Sequence, residues 1–316
     1  MLGLLTILLS ALLLTFHNLT VRVLYSDRLV LGWVELGGYV QPTLQNSFLL
    51  MFLRMLVVVP LMAAIAPKIY PAAQQDFKDL VTGDRQSALI ASAGCGVLMF
   101  VYIAMLYIAI GSIPTGIALT LFFTYPVFTA LFSWRWLGDR LTQFRWLVMA
   151  IILVGCALTV PPSEAASNSG VAIGIATSLG AGVIYALYTV AAQRCFAQIH
   201  PVPFTWISFA ITLILSGLSL LIMPFPTVEL AWTPLWIGSI FSGLTSFAGH
   251  SLNNIGIRMV GATATAMIGS SSPALTALMA WATIDESIDT IQAIGIGIVT
   301  LGIALLSSEK KLGRSR

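Results

Sequence analysis

The sequence predicts an all-α integral membrane protein whose ten transmembrane helices form two inverted five-helix repeats. Three observations lead to this fold class. Of the 316 residues, 58% are hydrophobic and only 9% are charged, whereas a soluble globular protein carries about 25% charged residues. The chain contains ten apolar segments of about 20 residues, a length that crosses a bilayer as a helix. A stretch near residue 126 is also repeated, without a gap, 147 positions later.

The ten apolar segments are expected to be helices, because a helix satisfies every backbone hydrogen bond within one segment, as lipid requires. The first segment has no basic start and no small-residue cleavage site. We therefore interpret it as a retained helix and not as a cleaved signal peptide. The predicted helices cover residues 2–25, 47–66, 87–108, 112–134, 143–160, 170–192, 203–224, 232–254, 261–283 and 288–307.

Longer polar connections lie between some of these helices. Residues 26–46 form one, and residues 67–86 form another that is either a short interfacial helix or a plain loop. A Pro/Ser/Asn segment at 161–169 joins the two copies of the repeat. The predicted organisation is a first repeat at 1–160, a linker at 161–169, a second repeat at 170–308 and a basic cytoplasmic tail at 309–316.

The internal repeat predicts the architecture. Its two copies share nine identities in 33 aligned positions, and self-similarity of this kind marks repeated structural units. The repeating unit holds five hydrophobic segments, and an odd number of spanning helices places the second copy in the opposite orientation. Inverted repeats are typical of transporters. The identical positions are Pro126, Thr129, Ala130, Leu131, Trp134, Ile151, Gly155, Ala157 and Leu158, which recur as Pro273, Thr276, Ala277, Leu278, Trp281, Ile298, Gly302, Ala304 and Leu305.

The basic residues predict the side of the membrane that each connection faces. With the N-terminus in the cytoplasm, twelve of the fifteen Lys and Arg residues fall inside, only Arg22 and Arg28 fall outside, and Arg54 lies within helix two. Such a bias in short loops indicates that both termini are cytoplasmic. We therefore expect a multi-pass protein of the cell membrane, meaning a plasma or inner membrane.

Short motifs at the end of helix four and in its copy carry a family resemblance. Residues 125–131 read Tyr-Pro-Val-Phe-Thr-Ala-Leu, and residues 137–142 read Leu-Gly-Asp-Arg-Leu-Thr. The copy reads Pro-Ala-Leu-Thr-Ala-Leu at 273–278 and Asp-Glu-Ser-Ile at 285–288, and helix two contains Phe-Leu-Arg ending at Arg54. Over nearly the whole chain, these features resemble the EamA-like family of the drug/metabolite transporter superfamily. The resemblance implies a transporter of small metabolites, often amino acids and related solutes, frequently outward.

The acidic residues argue against several chemistries. None of the twelve Asp and Glu residues lies in the middle of a predicted helix, where a proton- or sodium-coupling carboxylate is usually found. Paired catalytic acids are absent for the same reason, and two isolated histidines do not supply a nucleophile–base or metal site. The three cysteines show neither metal nor disulfide spacing. We therefore predict no enzyme activity, no cofactor and no metal.

Polar and aromatic side chains within the predicted helices are the candidates for a substrate site. His250, Asn253 and Asn254 share one side of helix eight by their i, i+3 and i+4 spacing. Such groups are expected to face the interior of the bundle, either as a midplane site or as hydrogen bonds between helices. The substrate-binding candidates are His17, Asn18, Tyr102, Thr124, Tyr185, Tyr188, His250, Asn253, Asn254, Ser270 and Ser272.

A second set of residues is predicted to be structural or gating. Pro126 and Pro273 should interrupt their helices, beside a substrate pathway or for packing alone. Arg54 either binds a substrate carboxylate or, as the favoured reading, packs against carbonyl groups near the end of helix three. Asp139 and Glu286 either cap the following helix or form a conformational latch.

These observations favour a secondary transporter of small metabolites, with export as the expected direction, that works by alternating access around a midplane cavity. The alternatives are a sugar-phosphate or nucleotide-sugar exchanger, which would need several Lys or Arg residues in the cavity, and an integral membrane enzyme. The expected partners are a small-molecule substrate and the lipid bilayer, and no nucleic acid. The sequence leaves a monomer and a homodimer equally open.

Overall fold

The computed structural model describes residues 2–82, 85–138, 142–159, 169–223, 230–269, 272–286 and 288–312. Two short antiparallel strands, β1 (Arg28–Val30) and β2 (Val34–Leu36), form a hairpin. The helices are α1 (Leu2–Tyr25), α2 (Leu44–Ile69), α3 (Ala73–Thr82), α4 (Gln86–Ser112), α5 (Thr115–Phe122), α6 (Tyr125–Leu137), α7 (Gln143–Thr159), α8 (Ser169–Cys195), α9 (Pro201–Ile222), α10 (Trp232–Val260), α11 (Ala262–Gly269), α12 (Ser272–Ile284) and α13 (Thr290–Leu312).

Six helical spans within the described residues are long and apolar enough to cross a membrane: α1, α2, α4, α8, α9 and the combined span of α5 and α6. Their outward faces carry large apolar side chains, such as Leu221 and Ile222, each 84% exposed. Such a surface suits lipid and not water, because a water-soluble monomer rarely exposes extensive apolar patches. The chain is therefore a largely helical, multi-pass membrane protein.

Each predicted apolar segment is helical, and the differences lie at ends and connections. Residues 26–46, expected to be a polar connection, contain the β hairpin. In residues 67–86 a helix is found, α3, and not a plain loop. Helix α13 continues to Leu312, so the predicted tail begins as helix.

Helix α3 is held in place by an aromatic and acidic contact. Tyr70, which ends α2, stacks on His200 with ring centroids 3.9 Å apart and donates its hydroxyl to Asp76 of α3 at 2.9 Å. His200 begins α9, where its Nδ1 accepts the Val202 N–H at 3.3 Å. Partial burial, together with the charge of Arg258, lowers the pKa of His200, which favours the neutral ring that this hydrogen bond requires.

The fourth predicted helix is interrupted just before Pro126. Helix α5 ends at Phe122 and α6 begins at Tyr125, because Pro126 has no N–H to donate to the Phe122 carbonyl. Thr124 satisfies part of the disturbed turn by donating its hydroxyl to the Leu121 carbonyl at 2.9 Å. In the second copy α11 ends at Gly269 and α12 begins at Ser272, while residues 270 and 271 lie outside the described part of the chain.

Helix α8 crosses this interruption at close range through small residues. Ser178 donates its hydroxyl to the Ala118 carbonyl, and a Cβ placed on Gly182 would lie 2.7 Å from the Phe122 carbonyl oxygen. Only glycine permits this approach, which brings the backbone of α8 against the open turn. The small-residue run of α8 therefore makes internal contacts at these positions.

The most extensive helix contacts recur when the two five-helix sets are exchanged. The first set is α1, α2, α4, the α5–α6 pair and α7, and the second is α8, α9, α10, the α11–α12 pair and α13. Extensive contacts join α1 to α10, and the corresponding contacts join α8 to α4. The α2–α9 contact and the α7–α13 contact each join a helix to its own counterpart, so the exchange leaves both in place. This pattern is that of a pseudo-two-fold arrangement.

Residues that are identical in the two copies form one self-complementary contact between α7 and α13. A Cβ on Gly155 would lie 2.9 Å from the side chain of Ile298, and a Cβ on Gly302 would lie 3.5 Å from that of Ile151. Ile298 and Gly302 are the repeat counterparts of Ile151 and Gly155. The repeated glycine of each copy therefore meets the repeated isoleucine of the other copy.

Thr129 and Thr276, another identical pair, make matching hydrogen bonds. The Thr276 Oγ1 lies 3.1 Å from the Thr15 Oγ1 of α1, and the Thr129 Oγ1 lies 3.4 Å from the Thr189 Oγ1 of α8. Because α1 and α8 open the two sets, these two hydrogen bonds also correspond under the exchange.

We expect Gly155→Ala to destabilise the protein, because its Cβ would lie 2.9 Å from the side chains of Ile298 and Val299 and from the Val299 backbone nitrogen. Overpacking of this kind costs about 1–3 kcal/mol. Gly297→Ala in α13 is the matched control, since nothing lies within 4 Å of a Cβ there. Thermal unfolding in detergent should give a lower Tm for Gly155→Ala and an unchanged or higher Tm for the control. Equal Tm values for the two variants would contradict the α7–α13 contact.

Candidate functional site

One cavity lies in the interior of the bundle, between helices of both sets. About 60 Å³ of it is open to the centres of water-sized molecules, which is room for several waters or one small solute. Its apolar lining consists of Ile7, Ala11, Leu14, Ile103, Leu106, Leu119, Phe122, Phe123 and Gly269. Its polar lining consists of Ser10, Thr15, His17, Asn18, Tyr102, Tyr107, Tyr125, Tyr185, His250, Asn253 and Ser272.

Most of the predicted substrate-binding residues meet at this cavity. Those that line it are His17, Asn18, Tyr102, Tyr185, His250, Asn253 and Ser272. Thr124, Tyr188 and Asn254 are buried but do not line it. Ser270 and Asp139 lie outside the described residues, and of Pro273 only its position as the second residue of α12 is described.

Asn253 and Asn254 face different neighbours, although both were predicted to share a side with His250. Each residue turns a helix by about 100°, so the two asparagines flank His250 on opposite sides. Asn253 Nδ2 donates to the Tyr185 hydroxyl at 3.0 Å in the cavity wall. Asn254 accepts the Tyr188 hydroxyl proton at 3.0 Å and donates to Thr205 at 2.8 Å, which ties α10 to α8 and α9.

Four polar lining residues were not among the predicted substrate-binding residues: Ser10, Thr15, Tyr107 and Tyr125. A signal for two of them was present in the sequence. Ser10 and Asn18 are eight residues apart, and Thr15 lies between them, so one face of α1 carries a polar stripe. Tyr107 and Tyr125 gave no such signal, because a tyrosine near the end of a spanning helix is as often an interfacial anchor.

Aromatic rings form one wall of the cavity. Tyr185 lies at its centre, with ring centroids 4.9 Å from Tyr102, 4.7 Å from Tyr125 and 5.3 Å from Phe122. The negative face of such a ring attracts an ammonium group at about this range. The wall therefore offers a place for a cationic group without supplying a carboxylate.

Two buried polar atoms of the cavity lining have no hydrogen-bond partner among the described residues: the Tyr102 hydroxyl and the Nδ1 of His250. Buried polar groups in proteins are nearly always paired, because an unpaired one costs about 1–3 kcal/mol. Both atoms are therefore placed where a polar ligand could satisfy them.

Arg54 lies at the edge of the cavity, behind two of its lining residues. Its side chain is fully buried, and its Nη1 lies 2.8 Å from both His17 Nε2 and the Tyr107 hydroxyl. The other ring nitrogen of His17, Nδ1, is 3.2 Å from the Ser242 carbonyl oxygen. A carbonyl only accepts, so Nδ1 carries the proton and Nε2 accepts from Arg54. His17 is thus neutral.

The favoured prediction for Arg54, packing against carbonyl groups near the end of helix three, does not match these contacts. Its hydrogen bonds within the described residues go to His17 and Tyr107. Arg22 makes the expected contact instead, donating from Nη1 to the Ile110 carbonyl at 2.6 Å. The physical reason is depth: Arg22 lies in the last turn of α1, level with the free carbonyls that end α4, whereas Arg54 lies ten residues inside α2.

Glu286 lies beyond the cavity lining, where it joins three elements of the chain. Its carboxylate accepts hydrogen bonds from Arg22 Nε at 3.0 Å and from the Thr115 backbone N–H at 2.8 Å, and Arg28 Nη2 lies 3.6 Å away. Arg22 is one turn beyond the lining residue Asn18. Of the two predicted roles, these contacts favour the latch, because the helix that Glu286 caps is α5 and not α13, which follows it.

The opposite end has a corresponding contact of different charge. Gln193, near the end of α8, accepts the Ala262 N–H at 2.7 Å at the start of α11. The next residue, Arg194, donates to the Trp136 carbonyl at the end of α6. Helix α11 is the counterpart of α5, and the first turn of each accepts a cap from a side-chain oxygen. The cap on α5 is the anionic Glu286, and the cap on α11 is the neutral Gln193.

The chain is similar to a known protein family, to named transporters and to a solved structure. The EamA-like transporter family model matches residues 40–160 and 172–308. A protein of Synechocystis sp. named as an uncharacterized transporter is 48% identical over 310 residues, which cover 98% of this chain and 94% of that protein. The threonine/homoserine exporter RhtA of Escherichia coli K12 is 27% identical over 200 residues, or 62% of this chain and 63% of RhtA. A crystal structure that is 19% identical, with a TM-score of 0.65 and coverage of 96% of this chain and 95% of that chain, shares the fold.

We expect Glu286→Gln to destabilise the protein strongly, because it leaves the Arg22 cation buried without a counter-charge. Removing one partner of a buried ion pair costs about 3–5 kcal/mol. Arg85→Gln is the matched control, since it breaks a pair with Asp76 whose atoms are 3.9 Å apart and whose Arg85 side chain is 53% exposed. Such exposed pairs contribute at most about 1 kcal/mol. Chemical unfolding in detergent measures both variants, and equal losses would show that the Glu286 contacts are not a buried pair in solution.

Proposed function

This chain belongs to the EamA-like transporter family, and from that premise we propose that it exports a small zwitterionic metabolite, an amino acid or a related solute, across the cell membrane. The carrying observation is the interior cavity, which both five-helix sets line and which holds polar and aromatic groups together. The relation to a threonine/homoserine exporter supports both the substrate class and the direction.

The size and charge of the cavity support a small solute. Its 60 Å³ suits a small solute. Over the described residues its lining contains neither Lys nor Arg, and one arginine, Arg54, lies behind the lining residues His17 and Tyr107. A sugar-phosphate or nucleotide-sugar exchanger would need several such cations for its phosphates. The amides and hydroxyls, with the aromatic wall, instead suit the paired charges of a zwitterion.

The proposal includes ten membrane-spanning helices in two sets of opposite orientation. The pseudo-two-fold packing supports it, as does the predicted position of the basic residues. Arg22, Thr115 and Glu286 fall in or beside connections that the charge bias assigns to the outside, and Glu286 contacts both of the others. Residues that are far apart in the sequence thus lie together on the side of the membrane that the charge bias predicts for each of them.

Two corresponding contacts, one at each end of the bundle, support alternating access. Opening the Glu286 end requires separation of α1, α5 and the segment around residue 286, and opening the other end requires separation of α8 from α6 and α11. A transporter must hold one end closed while the other opens. The corresponding contacts at the two ends supply such alternatives.

The orientation can be tested by labelling single cysteines at positions 139 and 285 in cells, with a reagent that does not cross the membrane. Asp285 is exposed and lies beside the buried Glu286. We expect the reagent to reach position 285 only from outside and position 139 only from inside, since the two sets are inverted. Wild type, whose Cys95 and Cys195 are buried, gives the background. Access to both positions from the same side would overturn the inverted arrangement.

Transport can be tested by counterflow of radiolabelled L-threonine and L-homoserine in liposomes. We expect saturable uptake by wild type and about a tenfold loss in His250→Ala and Asn253→Ala, because a lost hydrogen bond of about 1.4 kcal/mol is tenfold in affinity. Leu221→Ala on the exposed face of α9 is the control and should resemble wild type. If a broad panel of amino acids and other small metabolites shows no specific flux, the proposed function is wrong.

A further inference from the structure

We propose that Arg54 binds the carboxylate of the substrate, so that this cavity selects solutes that carry a carboxylate. The inference rests on the proposed function and adds the group that the cavity recognises. It concerns a residue that sequence reasoning assigned to packing, and it follows from the partners that its guanidinium has and lacks.

The charge of Arg54 has no counter-charge among the residues that the structure describes. The ion pairs among the described residues join Arg22 and Arg28 to Glu286 and Arg85 to Asp76, and none involves Arg54. The Arg54 side chain is 0% exposed. An isolated buried charge is among the most costly groups in a protein. A bound anion would remove this cost, and the free energy so released would favour binding of the anion.

The free part of the guanidinium has the geometry of a carboxylate site. Nη1 is held by His17 and Tyr107, whereas Nε and Nη2 have no hydrogen-bond partner among the described residues. Nε and Nη2 form one edge of the planar group, and their parallel N–H bonds match the two oxygens of a carboxylate. The edge that remains open is thus one that binds an acid in two-point fashion.

Arg22 provides a comparison within the same chain. Its Nε and Nη2, the same edge, both lie 3.0 Å from Glu286 Oε1. Arg22 therefore has its acid built into the protein, and Arg54 has the equivalent edge without one. A structural arginine requires an acid within the protein, as Arg22 has. A ligand-binding arginine requires an edge that is free for the ligand, as Arg54 has.

The neighbours of Arg54 connect it to the cavity. His17 and Tyr107, which hold Nη1, both line the cavity, and the guanidinium carbon lies 5.5 Å from the centre of the Tyr107 ring. The neutral His17 accepts a hydrogen bond from Arg54 and so fixes its plane without competing for a negative ligand.

The test compares L-threonine with L-threoninol, which has a CH₂OH group in place of the carboxylate. Purified full-length protein is titrated with each, and binding is followed by the rise in Tm. Wild type should bind threonine at least about tenfold more tightly than threoninol. In Arg54→Gln the ratio should fall to about one, and Arg54→Lys should retain part of it. Arg85→Gln, with an exposed arginine removed, should keep the wild-type ratio.

The ratio separates recognition from structure. A merely structural Arg54 would weaken both ligands equally and leave the ratio unchanged in Arg54→Gln, which would overturn the inference. If Arg54→Gln does not fold, Tyr107→Phe removes one group that holds Nη1, and it should lower the ratio without abolishing binding. A wild-type ratio of one, or no stabilisation by threonine, homoserine, glycine or acetate, also overturns it.

The same measurements distinguish failure of this inference from failure of the proposed function. Acid-selective binding without flux in liposomes supports the carboxylate site and contradicts transport. Flux of threonine and threoninol at equal rates supports transport and contradicts the carboxylate site. Stabilisation of wild type by chloride as strong as that by acetate would identify an inorganic anion site, which also contradicts selection for a carboxylate.

Discussion

A polar side chain inside a lipid-facing bundle can find a partner only on a neighbouring helix, and the organisation of this protein depends on that constraint. Where a partner exists, the helices are tied together, as in the chain from Tyr188 through Asn254 to Thr205. Some of the groups without a partner among the described residues lie at the cavity or its edge: the Tyr102 hydroxyl, the Nδ1 of His250 and the open edge of Arg54. Structural and ligand-binding polar residues are therefore distinguished by their partners and not by their type.

At each end of the bundle a side-chain oxygen caps the first turn of an interrupted helix, but the two side chains differ in charge. The first turn of an interrupted helix has free N–H groups, and each end supplies an oxygen to one of them. Glu286 does so for α5 with a charge that also gathers Arg22 and Arg28, whereas Gln193 does so for α11 without one. In a low-dielectric interior the charged closure is sensitive to loss of any member, while the neutral one depends on a single hydrogen bond. The pseudo-two-fold packing thus holds two unlike closures.

The helices and much of the cavity could be predicted from the sequence, because apolar length, repeats and polar residues within apolar segments are local signals. The apolar length of the first segment predicts the helix that begins at residue 2, and the missing N–H of Pro126 predicts the interruption before it. The role given to Arg54 did not match the structure, because which arginine meets the end of α4 depends on how deep each lies in its own helix. Spacing alone placed Asn253 and Asn254 together, and only the positions of α8 and α9 separate them.

The membrane environment, the helical segments and the internal repeat could be predicted from the sequence, since they follow from apolar length and from identities along the chain. Three features depend on the packing of the helices: Ile298 meets Gly155, Glu286 reaches α5, and Arg54 has no acidic partner among the described residues. The physical reason is that a charge or hydroxyl is costly or stabilising according to the atoms within about 3 Å of it. Those atoms come from helices far away in sequence, whose mutual depth and rotation are set by packing.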